Sequence, residues 1–200
     1  MNLFFERTKT ILPAIALSML SLFTLADAAG AQTPYHIAKG SSITITGTST
    51  LHDWTVHANE FTGNAAFVFL PDSSLKQVAN LSITVPVKNL KSTEGAMMDK
   101  NMYKTLKTEQ ISFALSSVTQ MQSSGSRYDI SGSGILEIGG MKKKMAFKVL
   151  CSAQVLSSLS CTGSLRLKMT DFGLVPPTFF MGTLKTGDDV TINYELHFQP

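Results

Sequence analysis

The stretch "MKKKMAFKVLCSAQVLSSLSCTGSLRLKM", Met141 to Met169, holds both cysteines of the chain and decides the reading of its fold. Apolar and polar residues alternate along both halves of it, the period of a strand with one buried face. Two such halves predict a hairpin, and its register can be tested internally. If Cys151 faces Cys161 in an antiparallel ladder, Val149 faces Gly163, Phe147 faces Leu165 and Met145 faces Leu167, all on one side. Lys144, Lys148, Arg166 and Lys168 then share the other side. A slip by one residue mixes the two sets. The cysteine pairing and the apolar pairing therefore select the same register. A bridge closing so short a loop contributes at most about 3 kcal/mol through chain entropy, and it reads as structural. The C-x9-C spacing is not that of a metal site, and no cluster of histidines stands beside it.

Outward from this hairpin the same period recurs. "NLSITVPV" puts Leu81, Ile83, Val85 and Val87 on one face, and "ISFALSS" does so with Ile111, Phe113 and Leu115. "RYDISGSGILEI" alternates through Tyr128, Ile130, Gly132, Gly134, Leu136 and Ile138. The last strand, "VTINYELHF", places Val190, Ile192, Tyr194, Leu196 and Phe198 on one side, after a turn signal in "TGDDV" at Asp188 and Asp189. One segment departs from the pattern. In "KSTEGAMMDKNMYKTLKTE", Met98, Met102 and Leu106 fall on one helical face, with Ser92 or Thr93 as a cap.

The count is eight or nine mostly antiparallel strands with one short helical insertion, and no linker or repeat. A sandwich and a barrel both solve the edge problem of such a sheet. Glycines inside strands at Gly47, Gly63, Gly132, Gly134 and Gly163 favour the tight coiling of a barrel, as does an inward set that mixes small and large residues. We therefore predict an all-β fold with a mostly antiparallel barrel; a barrel of eight strands has an interior just wide enough for side chains or one small ligand.

The beginning of the chain reads as an export signal. Arg7 and Lys9 precede an apolar run from Ile11 to Leu25, and "ADAAGAQ" offers cleavage after Ala28 or Ala31. The domain would then span 32–200, roughly 170 residues in one unit. Export to the periplasm, or secretion, suits a disulfide. A net charge of +3, spread along the chain, gives no argument for nucleic acid. The "KKK" of Lys142 to Lys144 reads as a solvated hairpin tip beside Gly139 and Gly140.

Chemistry-bearing residues are few. "TSTLHDWTVHAN", Thr48 to Asn59, holds the one Trp and two of the four histidines. On a strand, His52 and His57 face opposite sides and cannot share a metal unless a bulge or turn intervenes. The alternation breaks from Thr48 to Leu51, so a bend is expected there, with His52 and Asp53 holding it and Trp54 plugging one end of the barrel. No nucleophile elbow or phosphate loop appears, and paired carboxylates are scarce, the adjacent Asp188 and Asp189 reading as part of a turn. Neither a catalytic residue, a metal nor a cofactor is expected.

The whole stretch from Tyr35 to Phe198 resembles the YceI-like family of exported, lipocalin-like, polyisoprenoid-binding barrels. The resemblance is carried by "GTSTLHDWT", "MMDKNMYKTLKTEQISFALSSV", "GSGILEIGGMKKKMAFKV" and "MTDFGLVPPTFFMGTLKTGDDVTINYELHF", in that order. Where the family commonly shows Arg-Asp-x-His-Leu, this chain keeps Asp99 and lacks the Arg and His. The resemblance implies an extended antiparallel eight-stranded lipocalin-like barrel with one short helical insertion, a binding protein that holds a long apolar amphiphile (a polyisoprenoid, an isoprenoid quinone or a similar lipid) for transport, storage or sequestration. Its tail would lie against Phe67, Ile83, Val85, Phe113, Tyr128, Ile130, Phe147, Leu165 and Tyr194, with Met98, Met102 and Phe172 flanking a mouth. A monomer or homodimer with transient membrane contact is expected. Two other readings stay open: an envelope protein whose barrel is filled by its own side chains, and a lipid-modifying enzyme using His52 and Asp53 or Asp171. Alternation alone does not separate a ligand-filled bore from a packed core.

Overall fold

The computed structural model describes residues 33–153 and 158–200. The expected signal segment, with its cleavage positions, lies outside the described residues. Twelve strands are formed: β1 (Thr33–Ile37), β2 (Ser42–Ser49), β3 (Trp54–Ala58), β4 (Thr62–Phe69), β5 (Leu75–Pro86), β6 (Leu90–Ser92), β7 (Gln110–Ser124), β8 (Arg127–Ile138), β9 (Met141–Ala153), β10 (Leu159–Lys168), β11 (Thr178–Phe179) and β12 (Leu184–Gln199). The helix α1 spans Ala96–Leu106.

These make eight staves of a closed antiparallel barrel, because three staves are bent. β1 and β2 are the halves of the first, β3 and β4 of the second, and β5 and β6 of the third. β2 pairs with β3 while β1 pairs with β4, and β3 pairs with β6 while β4 pairs with β5. β7, β8, β9, β10 and β12 follow in order, and β12 closes the ring on β1 and β2. Up-and-down connection places α1, the β2–β3 and β8–β9 turns and the loop 169–183 at one end. Closure leaves no free edge at the ring's seam between first and last staves.

The hairpin register holds where the disulfide pins it. Cys151 pairs with Cys161 and Val149 with Gly163, and the two sulfurs are bonded. Beyond Val149 the strands separate, so Phe147 with Leu165 and Met145 with Leu167 are not ladder partners. The 3₁₀ turn Met169–Phe172 packs against both β9 and β10 there. The expected split of faces survives: Lys144, Lys148, Arg166 and Lys168 are exposed, and Met145, Phe147 and Leu165 are not.

Two sequence expectations are corrected. The helix is capped neither by Ser92 nor by Thr93. Gly95 is its N-cap, and the Ser92 hydroxyl accepts from the Glu94 N–H in the turn before it. Asp188 and Asp189 do not form a turn ahead of the last strand. They lie within β12, at a register shift between Thr186 and Val190.

The strand glycines give room for large side chains on adjacent staves. A Cβ added at Gly47 would fall inside the indole of Trp54, one at Gly134 inside the ring of Phe113, and one at Gly163 against the phenol of Tyr194. Rings thus lie flat on neighbouring backbone, which a uniform Val/Leu lining would not allow.

Candidate functional site

The interior contains an elongated apolar cavity of about 250 Å³. Its wall runs from Ile138 and Leu136 down to Ile130 on β8, and from Leu165 to Leu159 on β10. Eight residues of strand from Ile138 to Ile130 correspond to roughly 26 Å, or roughly 20 Å along a barrel axis tilted by about 40°. A groove of that shape suits a chain better than a compact ring system.

Of the interior residues singled out in the sequence, Phe67, Ile83, Val85, Phe113, Ile130, Phe147, Leu165 and Tyr194 line this cavity. Tyr128 does not. Its side chain is 2% exposed, and its Oη accepts a hydrogen bond from the Leu75 N–H at 3.0 Å. The polar tip of a buried Tyr must find a partner, and this one finds it on β5, one stave beyond its neighbour β7. Alternation also marks Leu136, Ile138, Val149, Ile192 and Leu196, and all of them line the cavity.

One end is shut by an aromatic plug. Phe67 meets Tyr35 edge-on at 4.9 Å and Phe198 at 5.5 Å, and Phe69 lies beside them. The other end is roofed by α1, with Met98, Met102, Thr105 and Leu106 facing the cavity. α1 is tied to β6: Asp99 accepts from the Ser92 N–H at 2.7 Å, and the Tyr103 hydroxyl donates to the Leu90 carbonyl at 2.8 Å. Lys91 donates to the Tyr103 hydroxyl and pairs with Asp99 at 3.4 Å, both of which hold its ammonium above the ordinary lysine range. Phe172, expected at the mouth, lies elsewhere. It is 2% exposed, packed within the 3₁₀ turn and not in the cavity wall, because that turn wedges the separated β9 and β10.

Trp54 is buried at the α1 end, lines the cavity and donates from Nε1 to the Thr48 carbonyl at 3.0 Å. The expected bend lies in the β2–β3 connection. Ser49 Oγ donates to the His52 carbonyl at 2.7 Å, and His52 Nδ1 meets the Asp53 carbonyl at 2.7 Å. His52, Asp53 and Asp171 are exposed and none of them faces the cavity. His52 reaches Glu94 at 3.5 Å and Asp171 reaches Lys143 at 3.4 Å. Among the described residues no three His, Cys, Asp or Glu side chains converge as metal ligands. No described helix is long and apolar enough to cross a membrane.

The cavity's own polar content is small. Tyr194 places its hydroxyl over Gly163, and burial pushes the phenol above its ordinary value near 10. It stays neutral, a donor within apolar walls.

The loop that crosses the α1 end is held by Asp188, which accepts from the Thr170 N–H at 2.9 Å and the Thr170 hydroxyl at 2.7 Å. These two bonds, the hydroxyl first, hold the carboxyl below its ordinary value of 3.8. A depressed carboxylate contributes stability above its unfolded pKa and loses it as pH falls through the folded one. The protection factors of the amides from Thr170 to Leu174, taken against the intrinsic exchange rate at each pH, should therefore be unchanged from neutrality to about pH 5 and fall below about pH 4. Asp188→Asn should remove that acid step. An identical acid profile in the variant would refute the assignment.

A closed, coiled, eight-stave barrel around an apolar bore defines the lipocalin-like class. Within it, the fold is that of the YceI-like proteins. The barrel superposes on a polyisoprenoid-binding domain from Saccharophagus degradans with a TM-score of 0.60, at 10% identity over 82% of this chain and 97% of that one. BcnA of Burkholderia cenocepacia gives 0.59 at 16% identity over 78% and 95%, and the YceI protein of Campylobacter jejuni gives 0.54 at 16% over 72% and 84%. No family profile and no curated protein matches the sequence.

Proposed function

We propose that this barrel is a binding protein that holds one long apolar amphiphile, a polyisoprenoid, an isoprenoid quinone or a lipid of similar shape, without chemical turnover. The observation that carries the reading is the bore itself, continuous from α1 to the aromatic plug and walled almost wholly by apolar side chains. Each methylene of a ligand buried there contributes about 0.8 kcal/mol, so a long tail needs no charged contact. The shared fold with a domain described as polyisoprenoid-binding supports the same class of ligand. Three carboxylate or imidazole groups that could do acid–base work, at His52, Asp53 and Asp171, stand outside the bore, which favours carriage over catalysis. The apolar run before Ala28 and the disulfide support a periplasmic or secreted carrier.

Native mass spectrometry of protein purified from a bacterial host tests this. A stoichiometric bound mass of several hundred daltons, released by organic solvent, is the expected result. A clean apo mass together with an empty solvent extract would favour the alternative, a self-filled envelope barrel.

A further inference from the structure

The barrel wall has a slot. β5 and β7 are neighbouring staves, yet they pair only from Ser82 with Ala114 to Pro86 with Gln110. Leu75 to Leu81 and Leu115 to Ser124 continue as strands, each laddered on its far side to β4 or β8, without pairing to each other. The cause is a set of four bulges. One step along β4 matches two along β5 at Lys76 and again at Ala79. One step along β8 matches two along β7 at Ser116 and again at Thr119. A bulge bends its strand and increases its twist, and two on each of two adjacent staves peel them apart.

The slot borders the bore. A second hollow of about 410 Å³ lies between the peeled strands, lined by Lys76, Gln77, Ser117 and Gln120 among others. It shares Val78, Leu115 and Val118 with the bore, so these three side chains are a common wall. Its floor is apolar and its rim is polar. The inner edges of β5 and β7 also turn alternate N–H and C=O groups into it, since a strand paired on one side presents an unfilled row on the other. Its side chains include one cation, Lys76, and no carboxylate. Tyr128 spans the far end of the slot from β8 to the Leu75 N–H, in place of the missing rungs.

We propose that this slot is a second subsite, which takes the oxygen-bearing, hydrogen-bond-accepting head of the amphiphile while its tail lies in the bore. A carboxylate, a phosphate and a quinone carbonyl share that chemistry. The inference rests on the reading of the bore as a ligand site. It accounts for a bore that offers a long tail ample contact and a polar head almost none. The α1 end presents Met98, Met102 and Leu106 to the cavity, whereas the slot supplies donors on both edges.

Stearic acid carrying a nitroxide either beside its carboxylate or at its far end tests this by paramagnetic broadening of backbone amide resonances. The head-labelled probe should broaden Lys76 to Ala79 and Ser116 to Gln120, and the tail-labelled probe should broaden residues deep in the bore such as Leu136 and Leu165. Lys76→Glu, at an exposed position, should weaken the stearate several-fold relative to stearyl alcohol. If the head label instead broadens Met98 to Thr105 while the tail label still reports the bore, the slot subsite is overturned and the carrier reading stands. Equal weakening of acid and alcohol by Lys76→Glu also counts against it. Broadening by neither probe would remove both.

Discussion

Phe67→Ala should lower the stability of the barrel by about 3–5 kcal/mol, read as a fall in the urea midpoint at unchanged slope. Phe67 is 3% exposed and sits on β4, where the second stave meets the first. Its ring packs edge-on against Tyr35 of β1 and Phe198 of β12, so it joins the three staves around the ring's closure. Truncation loses the transfer energy of the ring and leaves a void at the plugged end, which the stiff, closed sheet cannot collapse. A loss below about 1 kcal/mol would mean that the plug is not packed as described.

Leu165→Trp should abolish capture of a long tail while leaving the fold intact. Leu165 is half-buried on β10, laddered to Ile192 and facing the bore. The cavity gives the larger ring somewhere to go, so the usual overpacking cost of about 1–3 kcal/mol is an upper bound here. If the indole displaces four methylenes of ligand, binding weakens by about 3 kcal/mol, more than a hundredfold. The same change at the outward neighbour, Arg166→Trp, should leave binding as it was. Native mass spectrometry and titration with a fluorescent fatty acid read both variants. Retention of the ligand by a folded Leu165→Trp protein would place the ligand elsewhere.

Much of the bore was legible because one side of each strand is buried and the side-chain period is two. Ile83, Val85, Phe113, Ile130, Phe147, Leu165 and Tyr194 are inward residues that alternation alone selects. Tyr128 and Phe172 show its limit. Both are inward, but the first spends its hydroxyl on Leu75 of β5, past β7, and the second fills a wedge between β9 and β10. Which inward residue touches open space depends on neighbours from other staves.

The slot has a signature that the period-two reading passes over. Leu75, Val78 and Leu81 step by three, as do Leu115, Val118 and Met121, because each bulge inserts one residue between inward positions. In isolation such spacing is equally that of a helix. Only the ladders on β4 and β8, which hold both segments extended, turn it into two bulges per strand.

By itself the sequence determined the strand content, the facing of the side chains and the Cys151–Cys161 register, since these follow from local alternation and from one covalent constraint, while its strand glycines favoured a barrel over a sandwich. The tertiary structure alone decided where the bore ends, which residues line it, where the hairpin opens and that β5 parts from β7. Those features arise from contacts between staves far apart in the chain, and local periodicity carries no information about them.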